Sequence, residues 1–191
     1  MAFGLRLTFA LPGEPRLKLD ALMAEAQDLD LAGFSARHPE PALLFPASYG
    51  VGVDLSSSRV DTPTGGMKLA FGKKRRDHED KPCPVVFFLV KTTRNPFANM
   101  ITVGRTSNND ISLPLSSVSK LHAYFTRTPT GWTLSDGNAT NGTFVEDRRL
   151  APAASVVLTD GVTLGFGPET IATFYFSKGI FEFLRRSPRP G

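Results

Sequence analysis

The sequence predicts an all-β fold, an antiparallel β-sandwich over residues 84–176, with a small α+β extension in front of it. Three observations lead there. Short apolar segments recur along this stretch, each of strand length, with turn residues between them. Many of their residues are β-branched or aromatic, which suits a pleated, half-buried surface. Polar residues able to bind a ligand fall at the ends of the segments, where a sandwich gathers its loops.

Taken in order, residues 1–45 form the extension. Phe3, Leu5, Leu7, Phe9 and Leu11 alternate with smaller or polar residues, the period-two signature of a half-buried strand. Pro12-Gly13 marks a turn. Leu19, Leu22, Met23 and Ala26 then follow at helical spacing and predict a short amphipathic helix over residues 17–29, with its stripe packed on a core. Residues 46–83 are rich in Gly, Ser, Pro and charge and read as a linker. Their basic cluster, Lys73-Lys74-Arg75-Arg76, fits a nucleic-acid contact in isolation. Asp77, Glu79 and Asp80 follow at once, which favours a solvated linker.

The strands expected after the linker cover residues 85–90, 101–103, 111–113, 123–125, 132–134, 143–145, 156–158, 162–166 and 171–176. Many short strands at regular spacing read as a sandwich or barrel. Phe181, Phe183 and Leu184 predict a short helix within residues 177–191, ahead of a basic, Pro-rich end.

Composition narrows the function classes. Charged residues make up 21% and hydrophobic residues 41%, enough for a buried core. The net charge of +4 is a mild excess, which argues against a nucleic-acid partner and slightly favours anionic ones. Cys83, the one cysteine, can make no internal disulfide and fits a reducing compartment. The apolar run 85–90 is far too short to cross a bilayer, and the N-terminal stretch is broken by Gly4, Arg6 and Pro12, unlike a signal peptide. The expectation is a cytoplasmic protein with no membrane partner.

Enzyme signals are missing. The chain contains no GxxxxGK[ST] phosphate loop, no dinucleotide GxGxxG and no GxSxG nucleophile turn. His38, His78 and His122 show no metal spacing with one another or with Cys83. No catalytic residue, metal or cofactor is expected.

What remains is a set of residues at the strand ends: Gly104-Arg105, Ser119-Lys120-Leu121-His122 and Asn141-Gly142-Thr143. An arginine presents a rigid fork of donors that matches a phosphate bidentately. A serine adds a short hydroxyl donor, and an asparagine offers both a donor and an acceptor for gripping a peptide backbone. Gly142 permits a turn with positive φ. Together these are parts suited to recognising a phosphorylated peptide.

The order of these motifs resembles the forkhead-associated (FHA) domain family. Gly104-Arg105, Asn109-Asp110-Ile111, Val118-Ser119-Lys120-Leu121-His122-Ala123, Asp136, Thr140-Asn141-Gly142-Thr143-Phe144-Val145, Asp160-Gly161 and Leu164-Gly165 match its successive signatures, over about half of the chain. The resemblance implies a β-sandwich whose loops bind phosphothreonine in an extended peptide. It implies that Arg105 and Ser119 contact the phosphate and that Lys120 contacts phosphate or peptide. Thr140 and Asn141 would line the pocket and hold the peptide backbone, with Gly104, His122 and Gly142 supporting the loops. Two departures concern loop shape. Glu146-Asp147-Arg148-Arg149 stands where the family often has Asn-Gly, and Val162 replaces an acidic residue.

Each residue also has an ordinary structural reading. Arg105 fits a surface ion pair, Ser119 a capping hydroxyl, Asn141-Gly142 a hairpin turn, and Lys120 and Thr140 solvated loop positions. For His122 the structural reading is preferred, a satisfied histidine at a strand start. Asp110 and Asp136 read as loop braces and Trp132 as core. The expected function is a phosphothreonine-dependent interaction module acting with a Ser/Thr protein kinase or its substrates. The alternative is a degenerate scaffold or oligomerisation domain that captures its partner independently of phosphate.

Overall fold

The computed structural model describes residues 16–46, 84–152 and 154–187. The alternating segment at residues 3–11 and the basic cluster at residues 73–76 lie outside the described residues. Two sheets face each other. The larger holds β1 (Arg16–Lys18), β2 (Ala42–Phe45), β3 (Val85–Phe88), β8 (Thr143–Val145), β9 (Arg148–Arg149), β11 (Thr163–Phe166) and β12 (Ile171–Tyr175), in the order β1-β3-β2-β12-β11-β8-β9. The smaller holds β4 (Ile101–Gly104), β5 (Ile111–Ser112), β6 (Ala123–Thr128), β7 (Gly131–Asp136) and β10 (Ser155–Val157), in the order β10-β7-β6-β4-β5.

Between the sheets lies the main core, filled by Phe45, Phe87, Val103, Ile111, Phe125, Leu134, Leu164, Phe166 and Phe174 among others. A second core covers the outer face of the larger sheet. There α1 (Leu19–Asp28), α2 (Leu31–Arg37) and α3 (Ser177–Arg186) pack Leu22, Met23, Phe34, Ile180 and Leu184 onto the sheet. The stripe Leu19, Leu22, Met23 and Ala26 and the C-terminal apolar residues thus do form helices that serve this layer, whereas residues 17 and 18, expected in the first helix, belong to β1. Arg185 fastens two helices together by donating from Nη1 to the carbonyl of Ala26 at 3.1 Å.

Residues 42–45 depart from the sequence reading, which placed them in the extension and foresaw no strand there. Ala42–Phe45 instead forms β2, inserted between β3 and β12. The reason is two-sided burial. Leu43 and Phe45 point into the main core, and Ala42 and Leu44 point under the helices. A strand buried on both faces shows no alternation, only a continuous apolar run. The same holds for β3, whose Val85 and Phe87 face one core and Val86 and Phe88 the other.

The expected sandwich is present, with one difference: it is not purely antiparallel. β4 and β5 pair in parallel, Val103 opposite Ile111. The loop between them doubles back because Asp110 is drawn to the start of β4, where its Oδ2 accepts from the backbone N–H of Thr102 at 2.8 Å. Ile111 then runs alongside Val103 in the same direction.

Candidate functional site

The loop after β4 begins at Gly104-Arg105. Gly104 is required by close approach, since a Cβ there would collide with the Lys120 carbonyl and sit 2.8 Å from Asn109 Nδ2. The Arg105 backbone N–H donates to the Ser119 carbonyl at 2.9 Å, which joins this loop to the one before β6. The Arg105 side chain is exposed, and its guanidinium has no hydrogen-bond or ion-pair partner among the described residues. Asn109, buried at 3% exposure, donates from Nδ2 to the carbonyls of Thr106 at 2.9 Å and Lys120 at 2.7 Å. The sequence placed Asn109 in a motif without a role, yet it clamps the two loops that flank Arg105.

Ser119 accepts at Oγ from the Thr140 backbone N–H at 3.0 Å. Among the described residues its hydroxyl hydrogen has only Thr140 Oγ1 within reach, at a long 3.5 Å, so it is available to an incoming acceptor. Asn141 donates from Nδ2 to the Ser117 carbonyl at 2.7 Å. The five residues assigned to binding therefore sit together: Arg105 against Ser119, Lys120 beside it, and Thr140 and Asn141 bonded to the same loop. Lys120, Thr140 and Asn141 are exposed, with Ser119 half-buried.

His122 lies beneath this surface with 0% exposure. Its Nδ1 accepts from the Ser119 backbone N–H at 3.1 Å, and Nε2 contacts the Gly142 carbonyl at 3.1 Å. A carbonyl only accepts, so Nε2 carries the hydrogen and Nδ1 is bare, a single neutral tautomer that satisfies both. Burial pushes the imidazole below the usual histidine range, against the Gly142 carbonyl and the charge of Asp136, which favour the protonated form. Protonation at Nδ1 would remove the acceptor that holds Ser119. The ring also meets Phe166 edge-on, with centroids 5.8 Å apart. Gly142 takes φ 77°, a left-handed conformation that glycine adopts without strain.

Two carboxylates brace the loops. Asp136 accepts from Thr143 Oγ1 and, at 3.1 Å, from the Ala139 N–H. Asp110, fully buried, accepts from Thr92, Thr102, Asn95 and Lys91, the last at 3.0 Å. Burial alone would raise its pKa, but the hydrogen bonds from Thr102, Asn95 and Thr92 prevail and hold the carboxyl well below the usual range. Its partners Lys91, Thr92 and Asn95 carried no sequence signal, because they lie in the loop before β4, far from any motif.

Set beside known proteins, residues 101–167 match a family model described as FHA domain. This part of the chain is an FHA domain. Similar solved structures include EmbR of Mycobacterium tuberculosis in complex with a low-affinity phosphopeptide. It is 30% identical over 41% of this chain and 20% of that one, with a TM-score of 0.38. The FHA domain of a hypothetical Arabidopsis thaliana protein is 27% identical over 48% of this chain and 72% of its own, with a TM-score of 0.39. A third, described by phosphothreonine-dependent FHA domain interactions, is 23% identical over 52% and 90%, with a TM-score of 0.39. No curated protein matches the chain.

Proposed function

We propose that this FHA domain is a phosphothreonine-peptide binding module, which joins proteins when one of them has been phosphorylated by a Ser/Thr kinase. The observation that carries the reading is Arg105, whose exposed guanidinium has no partner among the described residues and whose backbone N–H donates to the Ser119 carbonyl at 2.9 Å, so that the two residues stand on adjoining loops. A cation and a hydroxyl donor at one point of an open loop surface suit the oxygens of a phosphate, which spreads about −1.5 to −2 charges over three acceptors. Lys120 adds a second cation, while Thr140 and Asn141 supply groups that can hold a peptide backbone. The EmbR structure contains a phosphopeptide, which is in keeping with this reading.

None of these residues is assigned a catalytic task, and the reading calls for no metal or cofactor. The setting we infer is the cytoplasm, among kinases and their substrates.

The test is an oriented phosphothreonine peptide library with unphosphorylated peptides as control. One bound peptide is then titrated in phosphothreonine, phosphoserine and glutamate forms. A carboxylate brings one charge and is too short to reach Arg105 and Ser119 together, so the glutamate form is expected not to bind, and phosphoserine to bind more weakly. Equal affinities for all three would mean that the surface reads bulk negative charge.

A further inference from the structure

The edges of an open sheet carry backbone N–H and C=O groups with nothing to bond, and they invite a strand from another chain. Among the described residues this sandwich has four edge strands, β1 and β9 in the larger sheet and β10 and β5 in the smaller. Three of them carry the usual protection. β1 reads Arg16-Leu17-Lys18 and β9 is Arg148-Arg149, so a strand docking on either would face charge. β5 is only two residues long, and Pro114 follows closely. β10, Ser155-Val156-Val157, has neither charge nor proline. Val157 is also 52% exposed, more than any other large apolar side chain among the described residues.

The ladder fixes which way the backbone groups of β10 point. Leu158 N–H donates to the Trp132 carbonyl at 2.8 Å. Val156, two residues back and opposite Leu134, therefore also turns its N–H and C=O inward to β7. The N–H and C=O of Ser155 and Val157 point the other way, to the open side, where no described residue bonds them. The outer face beside this edge carries no charge. Ser155 lies opposite Ser135, which lies opposite Tyr124; Val157 lies opposite Thr133, which lies opposite Thr126.

We propose that two copies of this chain associate through β10, antiparallel about a two-fold axis at Val156, which joins their smaller sheets into one. Ser155 then stands opposite Val157 of the second copy, and the open N–H and C=O groups of each satisfy those of the other. A second copy is the fitting occupant because an uncharged strand meets no repulsion from its own duplicate, and it offers no charge by which a foreign segment would be chosen. The pairing is short, at the low end of specific interfaces, so it makes and breaks with concentration. The inference stands apart from the phosphothreonine reading. Together with that reading, it gives the dimer a role. β10 runs away from the end of the sandwich that holds Ser119 and Thr140. Antiparallel pairing therefore turns the two sites to opposite ends, and one dimer bridges two phosphorylated partners.

Sedimentation of the full chain, without peptide, should show the mass moving from that of one chain toward that of two as concentration rises. Val157→Pro removes an N–H that only the second copy uses and leaves the ladder to β7 intact. Association should weaken about tenfold or more, while urea unfolding stays close to wild type. Val157→Lys should weaken it too, by placing charge on the edge. Adding Ser155→Glu to Val157→Lys should restore association, because in this register each lysine faces a glutamate of the second copy. Neither a misfolded variant nor another register gives that rescue. If Val157→Pro loses stability, the lysine and glutamate variants alone decide. A chain that stays monomeric at its highest soluble concentration overturns the inference and leaves the phosphothreonine reading untouched. Association that a stable Val157→Pro does not weaken overturns it by placing the interface elsewhere, and so does a double variant no stronger than Val157→Lys. Absence of phosphopeptide binding removes only the bridging role.

Discussion

Replacing His122 separates the frame of the site from its surface. The imidazole is fully buried and joins two loops, accepting from Ser119 N–H and donating to the Gly142 carbonyl, both at 3.1 Å. In His122→Ala the Ser119 N–H is left without its acceptor, which costs about 1–3 kcal/mol. The void beside Phe166 adds to this, for a total of about 2–4 kcal/mol. That is a large share of the roughly 5–15 kcal/mol that holds a domain folded. Two further variants divide the loss. An Asn amide occupies the place of Nδ1 and keeps an acceptor for Ser119, and a Gln amide reaches the place of Nε2 and keeps the donor to Gly142. The Gly142 carbonyl also accepts from Gly167 N–H at 3.0 Å, so losing its histidine contact does not orphan it. His122→Asn should therefore cost about 1 kcal/mol, and His122→Gln should cost more, because only there is a donor left unsatisfied. Urea unfolding gives the stabilities, and titration with a phosphothreonine peptide gives the binding, which should weaken in the order Asn, Gln, Ala as Ser119 loses its anchor. An alanine variant with full stability but no binding would make His122 a direct contact. A costlier Asn than Gln would refute the assigned tautomer.

Other expectations follow from the same contacts. Without peptide, unfolding should show stability that is complete above the ordinary histidine pKa of about 6.5. It should decline as the pH falls below that value toward the depressed pKa of folded His122, since the unfolded chain takes the proton first. His122→Asn should abolish that slope. Arg105→Ala should remove phosphopeptide binding, since charge-assisted bonds worth about 1.5–3 kcal/mol each disappear. Its melting temperature should barely move, as the exposed side chain braces no described residue, and a large shift would show a structural role. Gly104→Ala should destabilise the fold and weaken binding together, because its Cβ meets the backbone of Lys120 and not a side chain that can swing away. An unaltered melting curve would contradict this. Asp110→Ala should cost about 3–5 kcal/mol by leaving Lys91 and the Thr102 N–H without the buried charge they surround, as read by urea unfolding. In the wild type, the stability due to Asp110 is present above the ordinary carboxyl pKa of about 3.9. It is lost as the pH falls below that value.

The sequence alone determined whatever is local. Strands that are buried on one face and end in turn residues announce themselves by alternation and β-branching, so β6 and β12 could be read directly, as could the helical stripe of α1. The site's polar groups were legible for a related reason. Gly104-Arg105, Ser119 and Asn141-Gly142 punctuate strands, where neither propensity nor core packing explains an arginine or an asparagine. Tertiary structure decided the rest. Ala42–Phe45 gives no period because both of its faces are covered, and whether an apolar run is a two-sided strand depends on elements distant in sequence. The helix Leu31–Arg37 is too short for a clear stripe; its start is marked by Asp30, whose side chain accepts from Gly33 N–H at 2.8 Å. The parallel turn into β5 follows from a carboxylate captured by Thr92 and Thr102. Spacing along a chain reports the period of an element, whereas a side chain's partner is fixed by which elements the two cores press together, and that exists only once the chain has folded.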